Sequence, residues 1–514
     1  MELLRQYPPV TVAFMMGVAG GIVFAAGAAL TSPTIGLAAL AGVSLILLLL
    51  RDPVIGFYLL AALVPIERFG RLTDDTATFE ISIMRLLGLL AFVVLIIHKG
   101  LRGIPILISP PLVLWIIYTG FAFGSLFYTT DLDGGRQIAS GIFGNVLFLV
   151  TMCSLVYANS LAEILRRANL GINLWLLASF AICLYSIYDW HFGSGAVGGI
   201  PIDSVDPQAG AQTLEYKWST VWLDTAEKGL SELTLRRSMG STSHAAVFGI
   251  NLLMSLPFFI YSIRVSRDII FRGLMLVGLI ASVYCLLLTN TRSVIIIAVP
   301  TLGWCMLRSL IPVRAWMILA AAAAGSVALM ILPEDIFNRI LNIQNYSIEN
   351  SDALRVRLDY WDAGYRAILD HWFMGVGIGN RKVMLSYLLN PIQGHSTMHN
   401  IYLQTALDVG LFGWIFFIGF IVVVLVRTEQ LRQRLKFNEF IDAYWLATAA
   451  ETLMLTVVIF GFQVDVFFFP LKAWWLIASI TEALHCYVFR AEASGQRFIG
   501  PTFISGRRNP GVIL

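Results

Sequence analysis

The chain has 514 residues, of which 58% are hydrophobic and only 13% charged. Soluble domains carry roughly a quarter charged residues, so this composition excludes an ordinary soluble fold and fits a bundle of lipid-facing helices. A net charge of +3 gives no reason to expect a nucleic-acid partner.

A hydrocarbon core about 30 Å thick takes roughly 20 apolar helical residues to cross. Runs that meet or approach this length lie at 10–31, 34–50, 53–66, 82–98, 110–128, 138–157, 170–188, 244–263, 270–289, 294–311, 315–332, 400–426, 444–464 and 467–489. The expectation is an all-α polytopic membrane protein with about fourteen transmembrane helices. The first run lacks a small-residue cleavage site and reads as a retained span. The third is short and ends on Pro65, which leaves it open as a re-entrant segment. The five cysteines (153, 183, 285, 305 and 486) all fall in apolar runs. No disulfide framework is expected, and no Cys/His metal spacing occurs.

The chain divides into N-terminal membrane helices (1–188), an outer loop (189–243), central helices (244–332), an outer helical loop (333–398), C-terminal helices (399–489) and a tail (490–514). Lys and Arg in short connections set orientation. Arg51, Lys99, Arg102, Arg166, Arg167, Arg264, Arg267, Arg308, Arg314, Arg427, Arg432, Arg434 and Lys436 all fall on one side of a fourteen-span arrangement. Both termini are then cytoplasmic, and both long loops face outward. The loop from Asp189 to Ser243 carries seven acids against four bases, as an outer loop should. In the second loop, Glu334–Ile343 and Ala353–Trp372 read as amphipathic helices, the latter with Leu354, Leu358, Trp361, Tyr365 and Ile368 at helical spacing. The run Gly375-Val-Gly-Ile-Gly379 interrupts that pattern.

Three features carry chemistry. At the mouth of the twelfth span, His399-Asn400 is followed after nine residues by Gly410 and then Gly413. On one continuous helix, positions 399, 403, 406, 410 and 413 share a face, and the small residues allow close helix packing. An imidazole there titrates near neutral pH and can take a proton from an attacking hydroxyl; the alternative is an interfacial histidine at a helix cap. His395 reads as a loop residue. Second, Thr289-Asn-Thr-Arg292-Ser293 forms a very short connection that holds Arg292 at membrane level. There its planar fork suits phosphate oxygens, unless it simply snorkels. Third, Arg236 and Arg237 precede a Ser/Gly/Thr-rich entry to the eighth span, which suits an anion or is a plain loop. Arg355 and Arg357 form a weaker cluster that a solvated helix face explains as well. Inside the spans, Asp408, Glu451, Asp465, Lys472 and Glu482 are costly unless paired or facing water, and they keep a transporter in view.

The His-Asn-x9-Gly-x-x-Gly pattern at 399–413 resembles the signature of the O-antigen ligase and polymerase superfamily. Thr291-Arg292-Ser293 resembles that family's arginine turn. Leu358–Gly379 resembles the loop preceding its histidine, and Arg237–Ser255 the entry to an earlier helix. The likeness covers roughly 230–425. It implies a GT-C-like, metal- and cofactor-free glycosyltransferase of the bacterial inner membrane with its site on the periplasmic side. The donor would be an undecaprenyl-diphosphate-linked glycan, and the acceptor lipid A–core or a second lipid-linked glycan. His399 would be the base, beside Asn400. Arg292 and one of Arg236 and Arg237 would hold the diphosphate, and Arg355 and Arg357 are possible accessories. The loop 189–243 is longer and more acidic than in the simplest ligases, which leaves open which of Arg236 and Arg237 corresponds. The ligase reading stands first, a polymerase of O-antigen or exopolysaccharide second, and a transporter or flippase third.

Overall fold

The computed structural model describes residues 33–66, 82–192, 220–223, 235–242, 245–312, 352–388, 398–463 and 472–494, a few positions within these excepted. The expected spans at 10–31 and 315–332, the helix at Glu334–Ile343, His395 and Asp465 lie outside these residues. The described elements are α1 (Pro33–Arg51), α2 (Val54–Leu63), α3 (Ile83–Arg102), α4 (Pro110–Gly124), α5 (Leu132–Val156), α6 (Leu161–Phe192), β1 (Thr220–Leu223), β2 (Leu235–Ser238), α7 (Ala245–Val265), α8 (Ile269–Leu288), α9 (Arg292–Leu307), α10 (Asp352–Asp370), α11 (Ile401–Phe437), α12 (Ile441–Phe460) and α13 (Lys472–Ala493). Apart from one antiparallel ribbon (Val221 opposite Arg237, Trp222 opposite Arg236), the described fold is helical.

Eight of the described helices are long and apolar enough to cross a membrane, and three more are apolar but shorter. Among the short ones, α2 has 10 residues, about 15 Å of helix and half a hydrocarbon core. Its Phe57, Leu60 and Ala61 are buried, and just beyond it Ser241 donates to the Pro65 carbonyl. The third predicted run is therefore half a span whose end rests on the segment leading into α7.

Burial sorts the helices into interior and rim. On α3, Leu86, Leu89, Val93 and Ile96 are exposed at the three- and four-residue spacing of one helix face, as a lipid-facing helix requires. By contrast α13 is buried continuously from Ala473 to His485. A helix surrounded by protein need not be apolar; its polar groups need partners instead. Trp115 of α4, Phe420 of α11 and Trp475 of α13 pack together, with ring centroids 4.7–5.4 Å apart. The five cysteines are all free thiols.

Candidate functional site

The histidine motif folds differently from the single helix its spacing predicts. Gly410 has φ 68° and ψ −175°, so α11 is two helices joined at a break. In a continuous helix the Leu407 and Asp408 carbonyls would accept from residues 411 and 412. Here they accept from Val376 N (2.8 Å) and Gly377 N (3.0 Å), while Leu411 N donates to the Trp372 carbonyl (2.8 Å). A break inside an apolar environment is tolerated only where protein re-satisfies the freed backbone groups, and the segment 372–380 does so.

This pairing explains both glycine runs. Gly375, Gly377 and Gly379 all have positive φ. A Cβ on Gly375 would lie 2.5 Å from the Leu407 oxygen, one on Gly379 2.4 Å from Gly135 N, and one on Gly410 2.4 Å from the Phe373 oxygen. No side chain fits at these positions. Gly410 therefore packs against the 372–376 backbone rather than along a helical seam, and Gly413 packs beside Phe121 of α4. The segment 372–380, a clasp on α11, is fastened as well to the connection between α4 and α5. Ile378 N donates to Ser125 Oγ (3.1 Å), Thr130 Oγ1 to Asn380 Oδ1 (2.7 Å), and Tyr128 OH to the Met374 carbonyl (2.5 Å).

His399 lies eleven residues before that break, with φ 49°, a left-handed conformation that is uncommon outside glycine. Its neighbours hold it there. Asn400 caps α11, its Oδ1 accepting from Tyr402 N (3.0 Å) and Leu403 N (3.2 Å). Ile401 N donates to the Gly461 carbonyl at the end of α12 (2.9 Å). Trp361 Nε1 of α10 donates to the Met398 carbonyl (2.8 Å). Met398 and Asn400 are buried, and His399 between them is half-buried.

The helix expected at Ala353–Trp372 is α10, and of its expected stripe Trp361 and Ile368 pack on the buried side. Tyr360, Ala363 and Ala367 are buried in a small cluster with Met398, Leu407 and Val376, whereas Leu358 and Tyr365 are exposed. Small residues win this face because Met398 must come close; a Cβ on Gly364 would lie 2.0 Å from its sulfur. Arg355 and Arg357 lie near the start of this helix, Arg357 half-buried.

Arg292 is the first residue of α9, after a three-residue connection in which Thr289, Asn290 and Thr291 are buried. Asn290 has φ 48°, and its buried Nδ2 has no hydrogen-bond partner. Arg236 and Arg237 are consecutive on β2, and the Oγ of the next residue, Ser238, is also buried without a partner. Contacts between the helices bring these positions to one end of the bundle. Thr301 meets Thr456 (2.9 Å) and Arg308 meets Glu451 (2.7 Å), so α9 and α12 run antiparallel. That alignment sets Arg292 level with the end of α12, where Gly461 holds Ile401. Gly249, one turn into α7, faces Val294 of α9, and β2 packs on α7 and α8. His399, Arg292 and the β2 arginines therefore share that end.

The buried acids have another use. Glu451 pairs with Arg308 (2.7 Å) and Arg432 (3.1 Å), and Glu482 with Arg427 (2.9 Å). Asp408 accepts from Gln404 (2.9 Å) and Lys472 donates to Asn145 (2.6 Å). Sequence reading treated the three arginines as topology markers and did not join them to the acids, because their separation in the chain hides the pairing. It also missed the clasp, for which the glycine spacing in 375–379 was the available signal.

Residues 277–418 match the family model described as O-antigen ligase. The match runs from within α8 through Arg292, α10, the clasp and His399 into α11. No curated protein matches the chain. The family match supports the O-antigen ligase and polymerase superfamily as the family of this chain.

Proposed function

We propose that the chain is an O-antigen ligase-like glycosyltransferase. It would move a glycan from an undecaprenyl-diphosphate carrier to an acceptor hydroxyl at the outer face of the inner membrane, with both termini in the cytoplasm. The observation that carries this reading is the gathering of His399, Arg292 and the Arg236–Arg237 strand at one end of the bundle. Three separate stretches of sequence contribute, and two of them bring a buried donor without a partner, Asn290 Nδ2 and Ser238 Oγ. Unsatisfied buried donors are uncommon in folded proteins and suit an anion that arrives with the substrate.

In the proposed step His399 accepts the proton of the acceptor hydroxyl as its oxygen attacks the anomeric carbon. The bond from that carbon to the diphosphate oxygen breaks, and the leaving group departs with the electron pair. Its charge develops against the guanidinium of Arg292 and of one β2 arginine, where fixed positive groups away from bulk water are most effective. Consecutive strand positions belong to opposite faces, so the reading takes only one of Arg236 and Arg237. Asn400 acts as the cap that orients His399, with Arg355 and Arg357 as possible accessories on α10. No metal has a role in this scheme, and among the described residues no three His, Cys, Asp or Glu side chains converge.

A polymerase would use the same clamp with a second lipid-linked glycan as acceptor. The description of the matching family model puts the ligase first. A transporter is disfavoured because Glu451 and Glu482 are consumed by arginine partners. The test is purified protein with lipid-linked repeat units, with and without lipid A–core. Transfer onto core supports the ligase, chain growth on the carrier alone supports the polymerase, and no transfer in either arm overturns both.

A further inference from the structure

A helix on the surface of a soluble domain has two faces, one apolar and buried, one polar and solvated. α10 has three. Tyr360, Ala363 and Ala367 are buried against the bundle. Asp359, Asp362, Arg366 and Asp370 form an exposed charged row, in which Arg366 pairs with Asp362 (2.7 Å). The third face is apolar and also exposed: Leu358, Tyr365 and Leu369, with Trp372 continuing the row past the helix end. At 3.6 residues per turn these four positions fall within about 60° of one another. They lie opposite the buried face, and the charged row lies between the two.

The exposed row runs on into the surface of a membrane span. Trp372, Phe373 and Met374, the turn that opens the clasp, are each 53–56% exposed. Phe373 packs edge-on against Phe412 of α11 (5.2 Å), and Leu411, Phe412 and Ile415 are exposed on that helix, which is long and apolar enough to cross a membrane. The bond from Leu411 N to the Trp372 carbonyl sets the turn level with Leu411. Arg427, where the charged end of α11 begins, stands sixteen residues further on. That is about 24 Å of helix, less than the roughly 30 Å of a hydrocarbon core. With Arg427 at one edge of the core, the turn 372–374 is inside the other. Tyr128, which holds the Met374 carbonyl, directly follows the span Pro110–Phe127 and gives the same level.

A contiguous apolar surface of this kind marks a contact with lipid or protein. Continuity with the exposed face of α11 decides for lipid, because one surface then meets one medium. Aromatic residues at the edge of a span suit the headgroup boundary. The helix is also tied to the histidine, since Trp361 Nε1 donates to the Met398 carbonyl (2.8 Å) and Met398 is buried against Gly364.

We propose that α10 is an interfacial helix. Its apolar row and the turn 372–374 sit in the lipid of the leaflet on the His399 side, while its charged row faces water. Amphipathic helices lie about 5–10 Å into that boundary. Lipid contact thereby sets the depth of His399, through Trp361 and Met398. It also gives the exposed half of the α10 stripe, Leu358 and Tyr365, an apolar neighbour. This placement depends on the fold and the spans and not on the reaction proposed above.

The test places a nitroxide label on the full chain in nanodiscs of phosphatidylcholine and phosphatidylglycerol. Leu369→Cys and Met374→Cys report on the apolar row, Asp359→Cys and Arg366→Cys on the charged row, with the signal of the unsubstituted chain subtracted. Collisions with oxygen, which partitions into lipid, are compared with those of a water-soluble nickel chelate. The ratio of oxygen to nickel collisions at 369 and 374 is expected to exceed that at 359 and 366 at least about tenfold. Equal ratios at all four positions overturn the proposal. Exclusion of both reagents at 369 and 374 would assign the face to protein, another segment of this chain or a second copy, and overturns it too. Trp372→Phe supplies a milder second measurement, because it keeps an apolar ring. The emission that this variant loses should be quenched by phospholipid brominated high on its acyl chains and spared by iodide in water. The reverse pattern overturns the proposal whatever the labelled variants do.

Discussion

The two halves of α11 are held by opposite means. At its start, around His399 and Gly410, the helix is broken and fastened by main-chain hydrogen bonds, with Val376 N, Gly377 N and the Trp372 carbonyl replacing the lost helical partners. Towards its far end it is held by side-chain ion pairs, Arg427 to Glu482 and Arg432 to Glu451. The first arrangement needs no charge and excludes side chains at its glycines. The second spends its charges on one another. Buried acids that look functional in a sequence are here fastenings, and the candidate chemistry lies where backbone carries the fold.

His399→Ala separates the two ends most sharply. Loss of a general base costs about 10²- to 10⁴-fold in rate, so transfer should collapse while expression, membrane insertion and thermal stability persist. Normal transfer by this variant would remove His399 from the mechanism. Breaking the far end should do the reverse. Glu482→Ala leaves the half-buried Arg427 without its partner, and removal of one member of a buried pair costs about 3–5 kcal/mol. Thermal unfolding should fall markedly, with kcat of the surviving folded fraction near wild type. A kcat loss as large as that of His399→Ala would erase the distinction.

Gly410→Ala tests whether the clasp positions the histidine. Strained backbone of this kind costs about 1–3 kcal/mol, and the Phe373 carbonyl obstructs the new methyl group. Both stability and kcat should drop, a combination neither previous variant gives. Arg236→Ala and Arg237→Ala should differ from each other, only one raising the donor KM; equal effects would contradict the strand alternation. The smallest effect is expected of Trp361→Phe, which loses the hydrogen bond to the Met398 carbonyl. One such bond is worth about 0.5–1.5 kcal/mol, and the loss should appear as a modest fall in kcat with KM unchanged.

Much of this molecule was legible as a string. Apolar runs long enough for a bilayer gave a many-span helical protein, because in lipid the backbone must satisfy itself locally. His399, Arg292 and the Arg236–Arg237 pair stood out because polar residues beside spans are few. The glycine spacing around 410 was legible too, but its meaning was not. A period-based face assumes unbroken helix, and only the partner segment 372–380 makes the break affordable. The α10 stripe is half right for a related reason: Trp361 and Ile368 pack inward, but Leu358 and Tyr365 do not, because the close approach of Met398 selects Ala363, Gly364 and Ala367 beside them.

The sequence by itself determined the class, the helices and the residues able to do chemistry, since those follow from local composition and hydrogen-bonding need. Tertiary structure alone decided which of those residues meet. Glu451 and Glu482 found arginines far away in the chain, and the glycines of 375–379 found a broken helix. Each of these depends on contacts between segments distant in sequence, and pairing at such separation leaves no local periodicity to read.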